Sequence, residues 1–282
     1  MDTELRTLQL TILDIALEFQ RICEKHNLKY FLIGGSLLGA VRHQGFIPWD
    51  DDMDVGMLRE DYERFLEICP KELGEEFFLQ TYKTDEYYTH PFAKIRLNNT
   101  SLVEDYSQNS KQHNGIYFDI FPYDNMPESK IKQKFHYFSF KCLKWAAMGK
   151  NDYYFIETKK RRFAKFMSFA LFFLSKKKVI RMCDNVCSMF NKKVCKNVIN
   201  MGGAYNYNEY TLRTNLENLS ELDFEGYKFS VPANYKELLS NMYGDYMKLP
   251  PVEQRGKQHN MVKIDKGSYK IKNKAAAEVE QV

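Results

Sequence analysis

The chain has 282 residues, of which 44% are hydrophobic and 28% are charged, and these values are ordinary for a soluble globular protein. This length can bury one large core or two modest ones. With 41 basic against 37 acidic residues, the positive surplus is too small to indicate nucleic acid binding. The start, MDTELRTLQL, lacks a basic segment followed by an apolar run, so no signal peptide is predicted and a cytoplasmic protein is expected.

An amphipathic helix, a short strand and a second helix are predicted at the start of the chain. Residues 4–24 carry apolar side chains at steps of three and four, which predicts a helix that covers the core. KYFLIGG is then a short strand ended by glycines. SLLGAVRHQG is a helix with Ser36 at its N-cap and Gly45 near its end.

An acidic run, DDDMD, follows this helix. Pro48 prevents the helix from continuing, and the next residues alternate, so that Asp52 and Asp54 face one way while Met53 and Val55 face the other. A strand that carries two carboxylates on one side is therefore predicted.

The next elements are a helix that runs up to Pro70 and strands at FFLQTY, HPFAKIRL, TSLVEDY and GIYFDIFPYD. In the last of these strands, Tyr117, Asp119 and Phe121 share one face. Residues 1–125 are therefore predicted to contain the sheet core.

The remainder is predicted to form three parts. Residues 126–200 are helical in pattern, basic and aromatic, and residues 201–265 hold a β-like piece and a helix that pack on the core. Residues 266–282 have little apolar content and are expected to be a loose tail. The six cysteines lack a disulfide spacing, and Cys183, Cys187 and Cys195 lack the CxxC pair or histidine of a zinc site, which favours reduced, buried thiols.

Three other interpretations of the acidic run fit less well. An EF-hand would need glycine where Val55 stands and glutamate where Asp61 stands. The prenyl-diphosphate pattern DDxxD works on a helix, whereas Pro48 favours a loop that enters a strand. A solvated turn conflicts with apolar neighbours such as Phe46 and Trp49, which would draw the carboxylates inward, so a compensating cation is expected.

The opening of the second helix and the acidic run together suggest a metal site. Gly35 and Ser36 lie at a helix N-terminus, where N–H groups and a hydroxyl can hold a phosphate. Asp52 and Asp54 are about 7 Å apart along a strand and can converge on Mg²⁺ (or Mn²⁺), which prefers carboxylates and phosphate oxygens. This order resembles the metal site of the nucleotidyltransferase fold, in which Asp119 is the candidate third ligand.

The run GGSLLGAVRHQGFIPWDDDMDVGM, residues 34–57, resembles the signature of the LicD family, which includes the fukutin-type enzymes. FDIFPYD resembles the second acidic strand of that family, and YGDYMKLPP resembles its C-terminal element. The resemblance implies an α+β fold with a nucleotidyltransferase-like mixed sheet core, flanking helices and an added helical region. It places Asp52 and Asp54 on the metal with Asp119 beside them, includes Asp50 in the site, and assigns no role to Asp51.

Family members move a phosphorylated alcohol from a CDP-linked donor to a sugar hydroxyl. The resemblance therefore implies Mg²⁺-dependent transfer of phosphocholine or a related alcohol phosphate from CDP-choline or a CDP-polyol to a cell-surface glycan or its lipid-linked precursor, with Asp52, Asp54 and Asp119 as catalytic residues. Two alternatives stay open at this point. The same core is compatible with transfer of a nucleoside monophosphate from an NTP, and the chain is also compatible with a non-catalytic, membrane-associated glycan-assembly protein.

Basic side chains complete the predicted substrate site. Arg42 can bind a phosphate with its fork of donors, although an arginine at a helix C-terminus is also favoured by the dipole. The family signature contains Arg42 and His43, which favours function for both. Lys94 shares a strand face with Arg96 and suits the donor phosphates, with a solvated basic edge as the alternative. No role is assigned to His259.

A possible membrane contact is predicted within the helical region. Basic clusters bracket the apolar stretch 163–175, whose 13 residues would form a helix about 20 Å long, shorter than the hydrocarbon core of about 30 Å. An interfacial helix on the anionic inner face of the membrane is predicted, which suits a lipid-linked acceptor. A core helix with basic ends stays open as the alternative.

Overall fold

The computed structural model describes residues 3–151, 158–203, 209–256 and 260–275. The helices are α1 Thr3–Lys25, α2 Gly34–His43, α3 Arg59–Glu72, α4 Lys130–Lys150, α5 Thr158–Ala170, α6 Lys176–Cys187, α7 Arg213–Glu217 and α8 Tyr235–Tyr243. The strands are β1 Phe31–Leu32, β2 Asp54–Leu58, β3 Phe77–Gln80, β4 Ala93–Leu97, β5 Ser101–Glu104, β6 Tyr117–Met126, β7 Asn197–Ile199, β8 Tyr210–Leu212, β9 Leu219–Phe224, β10 Tyr227–Pro232 and β11 Met261–Asp265.

A seven-stranded mixed sheet forms the centre of the protein. Its main order is β1-β2-β6-β4-β3, while β7 pairs with β6 and β8 pairs with β7. β2 and β6 are parallel, whereas the neighbouring pairs are antiparallel. All of β6 is buried, because β2 and β4 flank its first part and β7 pairs with its last part. The predicted fold class, a mixed sheet core with flanking helices, is confirmed.

Helix α1 covers one face of this sheet. Its apolar positions recur at steps of three and four, and the ring of Phe19 lies 5.2 Å from that of Phe118 and 5.0 Å from that of Phe65. Since side chains alternate along a strand, Phe118 of β6 points to this core while Asp119 points to the opposite face. The opposite face carries the candidate site.

The helical region has a smaller core of its own. Apolar side chains of α4 and α6, among them Phe140, Val179 and Cys183, form a cluster that also takes in the end of β6 and β7. An ion network joins this region to the sheet. Arg59 of α3 donates to both carboxylate oxygens of Asp124, at 2.7 and 2.6 Å, and to Asp184 of α6 at 3.1 Å.

The apolar stretch 163–175 is not the single helix that the sequence predicted. α5 ends at Ala170, and α6 begins at Lys176. Ser175 is the N-cap of α6, where its hydroxyl accepts a hydrogen bond from the Lys178 N–H at 3.3 Å, so the chain starts a new helix there. Within the described residues, no helix is long and apolar enough to cross a membrane.

Two further boundaries differ from the sequence prediction. α3 runs to Glu72, past Pro70, because a proline this near the end removes only one hydrogen bond from the ladder. Residues 266–275 are not a loose tail. Asn273 donates to the Leu10 carbonyl at 2.7 Å and to Asp14 at 2.8 Å, which ties this segment to α1, while residues 276–282 lie outside the described residues.

The segment 209–265 packs on the sheet core. Strands β9 and β10 form a hairpin, and Phe224, Phe229 and Val231 from this hairpin belong to the main apolar cluster. β11 pairs with β5. The C-terminal part of the chain therefore closes the core and reaches the rim of the candidate site.

Candidate active site

A cavity of about 1240 Å³ lies on the sheet face opposite α1. Its walls come from the sheet, the start of α2, the acidic loop before β2, α4 and the segment 243–255. Seven of the predicted site residues line it, namely Gly35, Arg42, Asp50, Asp52, Asp54, Lys94 and Asp119. Ser36 and His43 are not among the lining residues.

Strand register places three of these side chains in one row across the sheet. Asp54 of β2 is paired with Asp119 of β6, and Asp119 is paired in turn with Lys94 of β4. Residues directly opposite each other on adjacent strands point to the same face and lie about 5 Å apart. The pairing therefore brings two carboxylates and one ammonium group to the same wall of the cavity.

Asp119 and Lys94 form a buried ion pair. The Lys94 ammonium lies 2.7 Å from Asp119 Oδ1 and donates to Oδ2 at 2.9 Å, and it also sits 3.4 Å from the centre of the Tyr117 ring. Burial raises the pKa of the Asp119 carboxyl, and the Lys94 ammonium opposes this shift. Lys94 thus holds and charge-balances Asp119 in this geometry.

Ser36 is not the helix cap that the sequence predicted. α2 begins at Gly34, which has a φ of +53° that glycine adopts readily, and Ile33 is the N-cap. Ser36 therefore lies inside the first turn, where its hydroxyl accepts a hydrogen bond from the Asp54 N–H at 2.8 Å. Its hydroxyl anchors the first residue of β2 to α2.

The start of α2 faces carboxylates. A side chain at position 35 would place its Cβ 2.7 Å from Asp50 Oδ2, so only glycine permits this approach, and a Cβ at Gly34 would lie 3.9 Å from Asp54 Oδ2. The positive end of the helix dipole stabilises negative charge at this distance. Gly35 thus lets the acidic loop pack closely against the helix N-terminus, whereas a Cβ at Gly34 would make only ordinary contact.

The acidic loop itself brings oxygen ligands together. Asp50, Asp51 and Asp52 each offer a ligand atom, and these atoms all lie within 4.8 Å of one another. β2 begins only at Asp54, so Asp52 belongs to the loop and not to the predicted strand. The alternating sequence pattern starts two residues before the backbone begins to pair with a neighbouring strand. Hard carboxylate oxygens grouped in this way fit Mg²⁺ or Mn²⁺. The compact group therefore includes Asp51, to which the sequence analysis assigned no role.

Arg42 and His43 occupy different environments. Arg42 lines the cavity, and its guanidinium donates a hydrogen bond to the Tyr246 carbonyl at 2.8 Å. Arg42 therefore also positions the segment 243–255, which forms part of the cavity wall. The His43 ring packs edge-on against Trp49, and burial lowers its pKa. His259 lies outside the described residues.

The sequence analysis missed two buried glutamates that line the cavity. Glu104 accepts a hydrogen bond from the Tyr106 hydroxyl at 2.8 Å, and Glu209 accepts from Tyr123 at 3.0 Å and from Asn200 at 3.1 Å. Burial raises the pKa of Glu209 to about 7, although both of its hydrogen bonds oppose the shift. For Glu104 a signal existed, since the alternation in TSLVEDY puts it on the inward face with Leu102. Glu209 carried no such signal.

Lys144 of α4 is a further cation at the cavity that the sequence analysis missed. It lies on the face of α4 that also carries the buried Phe140, and its ammonium is 5.7 Å from the centre of that ring. Burial lowers the pKa of the Lys144 ammonium, and within the described residues it has no carboxylate at ion-pair distance. A lysine on an apolar helix face was the available signal.

A cavity with grouped carboxylates and facing lysines on a mixed sheet fits the class of phosphoryl-transferring enzymes. The model of the LicD/FKTN/FKRP nucleotidyltransferase domain matches residues 27–170. The chain is also 31% identical over 278 residues to the lipopolysaccharide cholinephosphotransferase LicD of Haemophilus influenzae, covering 90% of this chain and 96% of that protein.

Two shorter similarities accompany this match. The chain is 52% identical over 53 residues to human ribitol 5-phosphate transferase FKRP, covering 19% of this chain and 11% of that protein. It is 45% identical over 67 residues to the uncharacterized protein RT0683 of Rickettsia typhi, covering 23% of this chain and 22% of that protein. The chain belongs to the LicD family. This membership confirms the predicted enzyme class, a LicD-type phosphotransferase.

Proposed function

We propose that this protein transfers phosphocholine or a related alcohol phosphate from a CDP-linked donor to a hydroxyl of a cell-surface glycan or its lipid-linked precursor. The observation that carries the proposal is the row of Asp54, Asp119 and Lys94 on the cavity wall. The names of two relatives, a lipopolysaccharide cholinephosphotransferase and a ribitol 5-phosphate transferase, support an alcohol phosphate as the transferred group.

A divalent cation, Mg²⁺ or Mn²⁺, belongs to this proposal because the donor set suits it. Asp52 and Asp54 would hold it, with Asp119 beside them and with Asp50 and Asp51 in the compact group of the loop. When bound, the ion neutralises charge on the phosphate oxygens of the donor. Lys94 and Lys144 are among the cationic residues that line the same cavity, together with Arg42, Lys248 and Arg255.

The protein groups have separate tasks in the reaction. The acceptor hydroxyl oxygen forms a bond to the phosphorus that carries the alcohol, and the bond from that phosphorus to the bridging oxygen breaks. CMP leaves with the bridging oxygen and its electron pair. The acceptor proton passes to the Asp119 carboxylate, which Lys94 holds in place with contacts of 2.7 and 2.9 Å. Gly35 at the start of α2 keeps room for the Asp50 carboxylate.

A donor panel tests the proposal. Thermal unfolding is followed with CDP-choline, CDP-ribitol, CDP-glycerol and an NTP, each with and without Mg²⁺, and the products are then identified by mass. We expect one CDP-alcohol to raise the unfolding temperature in the presence of Mg²⁺, since a ligand that binds only the native state stabilises it. That donor should release CMP on transfer. Pyrophosphate release from the NTP, with no response to any CDP-alcohol, would instead indicate nucleotidyl transfer.

A further inference from the structure

A group of exposed aromatic side chains lies at the end of α5 and in the turn that follows. Phe166, Phe169, Phe172 and Phe173, here called the phenylalanine tip, have 62%, 75%, 73% and 68% of their surface exposed. The rings of Phe169 and Phe172 are 6.2 Å apart, and those of Phe172 and Phe173 are 5.8 Å apart. The tip is therefore one apolar surface and not scattered single residues.

The core of the helical region does not need these side chains. Met167, Leu171 and Leu174 of the same segment pack against the apolar cluster of α4 and α6. The segment is therefore apolar on two sides, one of which faces the core while the other faces solvent. A segment that served only the core would carry polar residues on its outer side.

The surroundings of the tip are strongly basic. Residues 159–178 contain eight lysines and arginines and no aspartate or glutamate. Lys159, Lys160, Arg161, Arg162, Lys165, Lys177 and Lys178 are all exposed. A partner of this surface must therefore accept several aromatic rings and also supply many negative charges within one small area.

We infer that the phenylalanine tip docks on the surface of an anionic lipid bilayer. A bilayer offers an apolar interior for the rings and a layer of negative head groups for the surrounding cations. Because α5 ends at Ala170 and α6 starts at Lys176, the tip enters the interface as the end of α5 with the turn that follows it, and not as one helix lying flat. The inference concerns attachment, so it stands independently of the reaction proposed above.

The tip is connected to the candidate site through α4. A Cβ at Gly149 of α4 would lie 2.5 Å from the Ala164 carbonyl oxygen, so the absence of a side chain there lets α4 and α5 pack backbone to backbone. Lys144 and Met148 of α4 line the cavity. Docking the tip therefore anchors the helix pair that contributes one wall of the cavity.

Flotation of the whole protein with vesicles tests this inference. One set of vesicles contains phosphatidylcholine alone, and the other also contains phosphatidylglycerol. We expect the wild type to float only with the anionic set. A variant with all four tip phenylalanines changed to serine should need at least about 10-fold more lipid, because its rings no longer enter the apolar interior. Lys177→Glu/Lys178→Glu should also need at least about 10-fold more lipid, because it replaces positive charge by negative charge next to the anionic head groups. Binding of the tip variant equal to that of the wild type would overturn the inference.

A matched control uses exposed aromatics elsewhere in the same region. Phe135 and Phe138 of α4 are 61% and 65% exposed, and Phe135→Ser/Phe138→Ser should keep binding within about two-fold of the wild type. An equal loss in this control and in the tip variant would show that the tip has no special role. If the wild type instead self-associates through the tip in light scattering and ignores anionic vesicles, a second copy of the chain is the partner and the inference is wrong. Circular dichroism verifies that each variant is folded.

Discussion

The sheet core and the helical region hold their important side chains by different means. In the core, the pairing of β2, β6 and β4 fixes Asp54, Asp119 and Lys94, and a slip of one residue in any of these strands would turn its side chain away from the cavity. In the helical region, the phenylalanine tip sits on short helices with a small core. The chemistry, which needs precise distances, thus lies where strand register is fixed. The surface contact lies on the helical region, which is held by a smaller core.

The joint between the two regions gives the largest predicted effect. Arg59→Met removes the partner of Asp124, whose side chain is 1% exposed, and also breaks the contact with Asp184 of α6. A buried carboxylate without its cation costs about 3–5 kcal/mol, so we expect the free energy of unfolding to fall by that amount. Denaturant unfolding, followed by circular dichroism, measures it.

Glu63→Gln is the control for this joint. Glu63 also pairs with Arg59, at 3.1 Å, but its side chain is 46% exposed, and exposed ion pairs contribute little. We expect a change below about 0.5 kcal/mol. If Arg59→Met were as stable as Glu63→Gln, the two regions would not be joined by this network.

The next effect tests the core row by itself. Asp54→Asn keeps the shape of the side chain and removes a charge from the cavity wall, so we expect the rate of alcohol phosphate transfer to fall about 10²- to 10³-fold. The unfolding temperature should stay equal or rise, because one of several close carboxylates is neutralised. Asp223→Asn, at an exposed position of β9, should keep full activity. Full transfer by Asp54→Asn would contradict the role of Asp54 in the metal site.

A third test concerns a buried group of the core that titrates. Burial raises the pKa of Glu209 from 4.5 to about 7, so between these values the folded protein holds a proton that the unfolded chain has lost. Glu209 therefore makes the free energy of unfolding fall as the pH rises from about 4.5 to about 7, and above that range its effect is constant.

Glu209→Gln removes this titration. Relative to the wild type, the variant should gain about 3 kcal/mol of stability between pH 5 and pH 8. Urea unfolding at both pH values measures the gain, and the other titrating groups cancel in the comparison. A constant difference between the two proteins at both pH values would mean that Glu209 is ionised throughout.

The sequence predicted the parts of the site that follow from local pattern. The alternation in GIYFDIFPYD put Asp119 on one face with Tyr117 and Phe121, and all three line the cavity. The acidic loop was correctly expected to be held inward by its apolar neighbours, and Asp50 and Asp51 are buried. Period-two alternation and burial are local properties, so the sequence was sufficient for them.

Other features depend on contacts that are distant in sequence. Ser36 was expected at the helix cap, but the conformation of Gly34 starts the helix earlier and turns the hydroxyl to the Asp54 N–H. The ion pair of Lys94 with Asp119 requires the pairing of β4 with β6. In the helical region, apolar residues lie on two sides of the segment, so the sequence has no clear helical period there. The start of a new helix after Ser175 could therefore not be predicted.

The smallest predicted effect connects the two regions at the cavity. Lys144 comes from α4 but lines the same cavity as the carboxylates of the core, and it has no ion-pair partner within the described part of the chain. A cation in that position is suited to the diphosphate of the donor. The diphosphate charge is present both in the bound substrate and in the transition state, so the cation should stabilise both equally. Lys144→Met should therefore raise KM for the CDP-linked donor about 10-fold, roughly 1.4 kcal/mol, and leave kcat within about three-fold. Lys141→Met changes an exposed residue on the same helix and should alter neither constant. A loss of kcat alone in Lys144→Met would instead place Lys144 in the chemical step and not in donor binding.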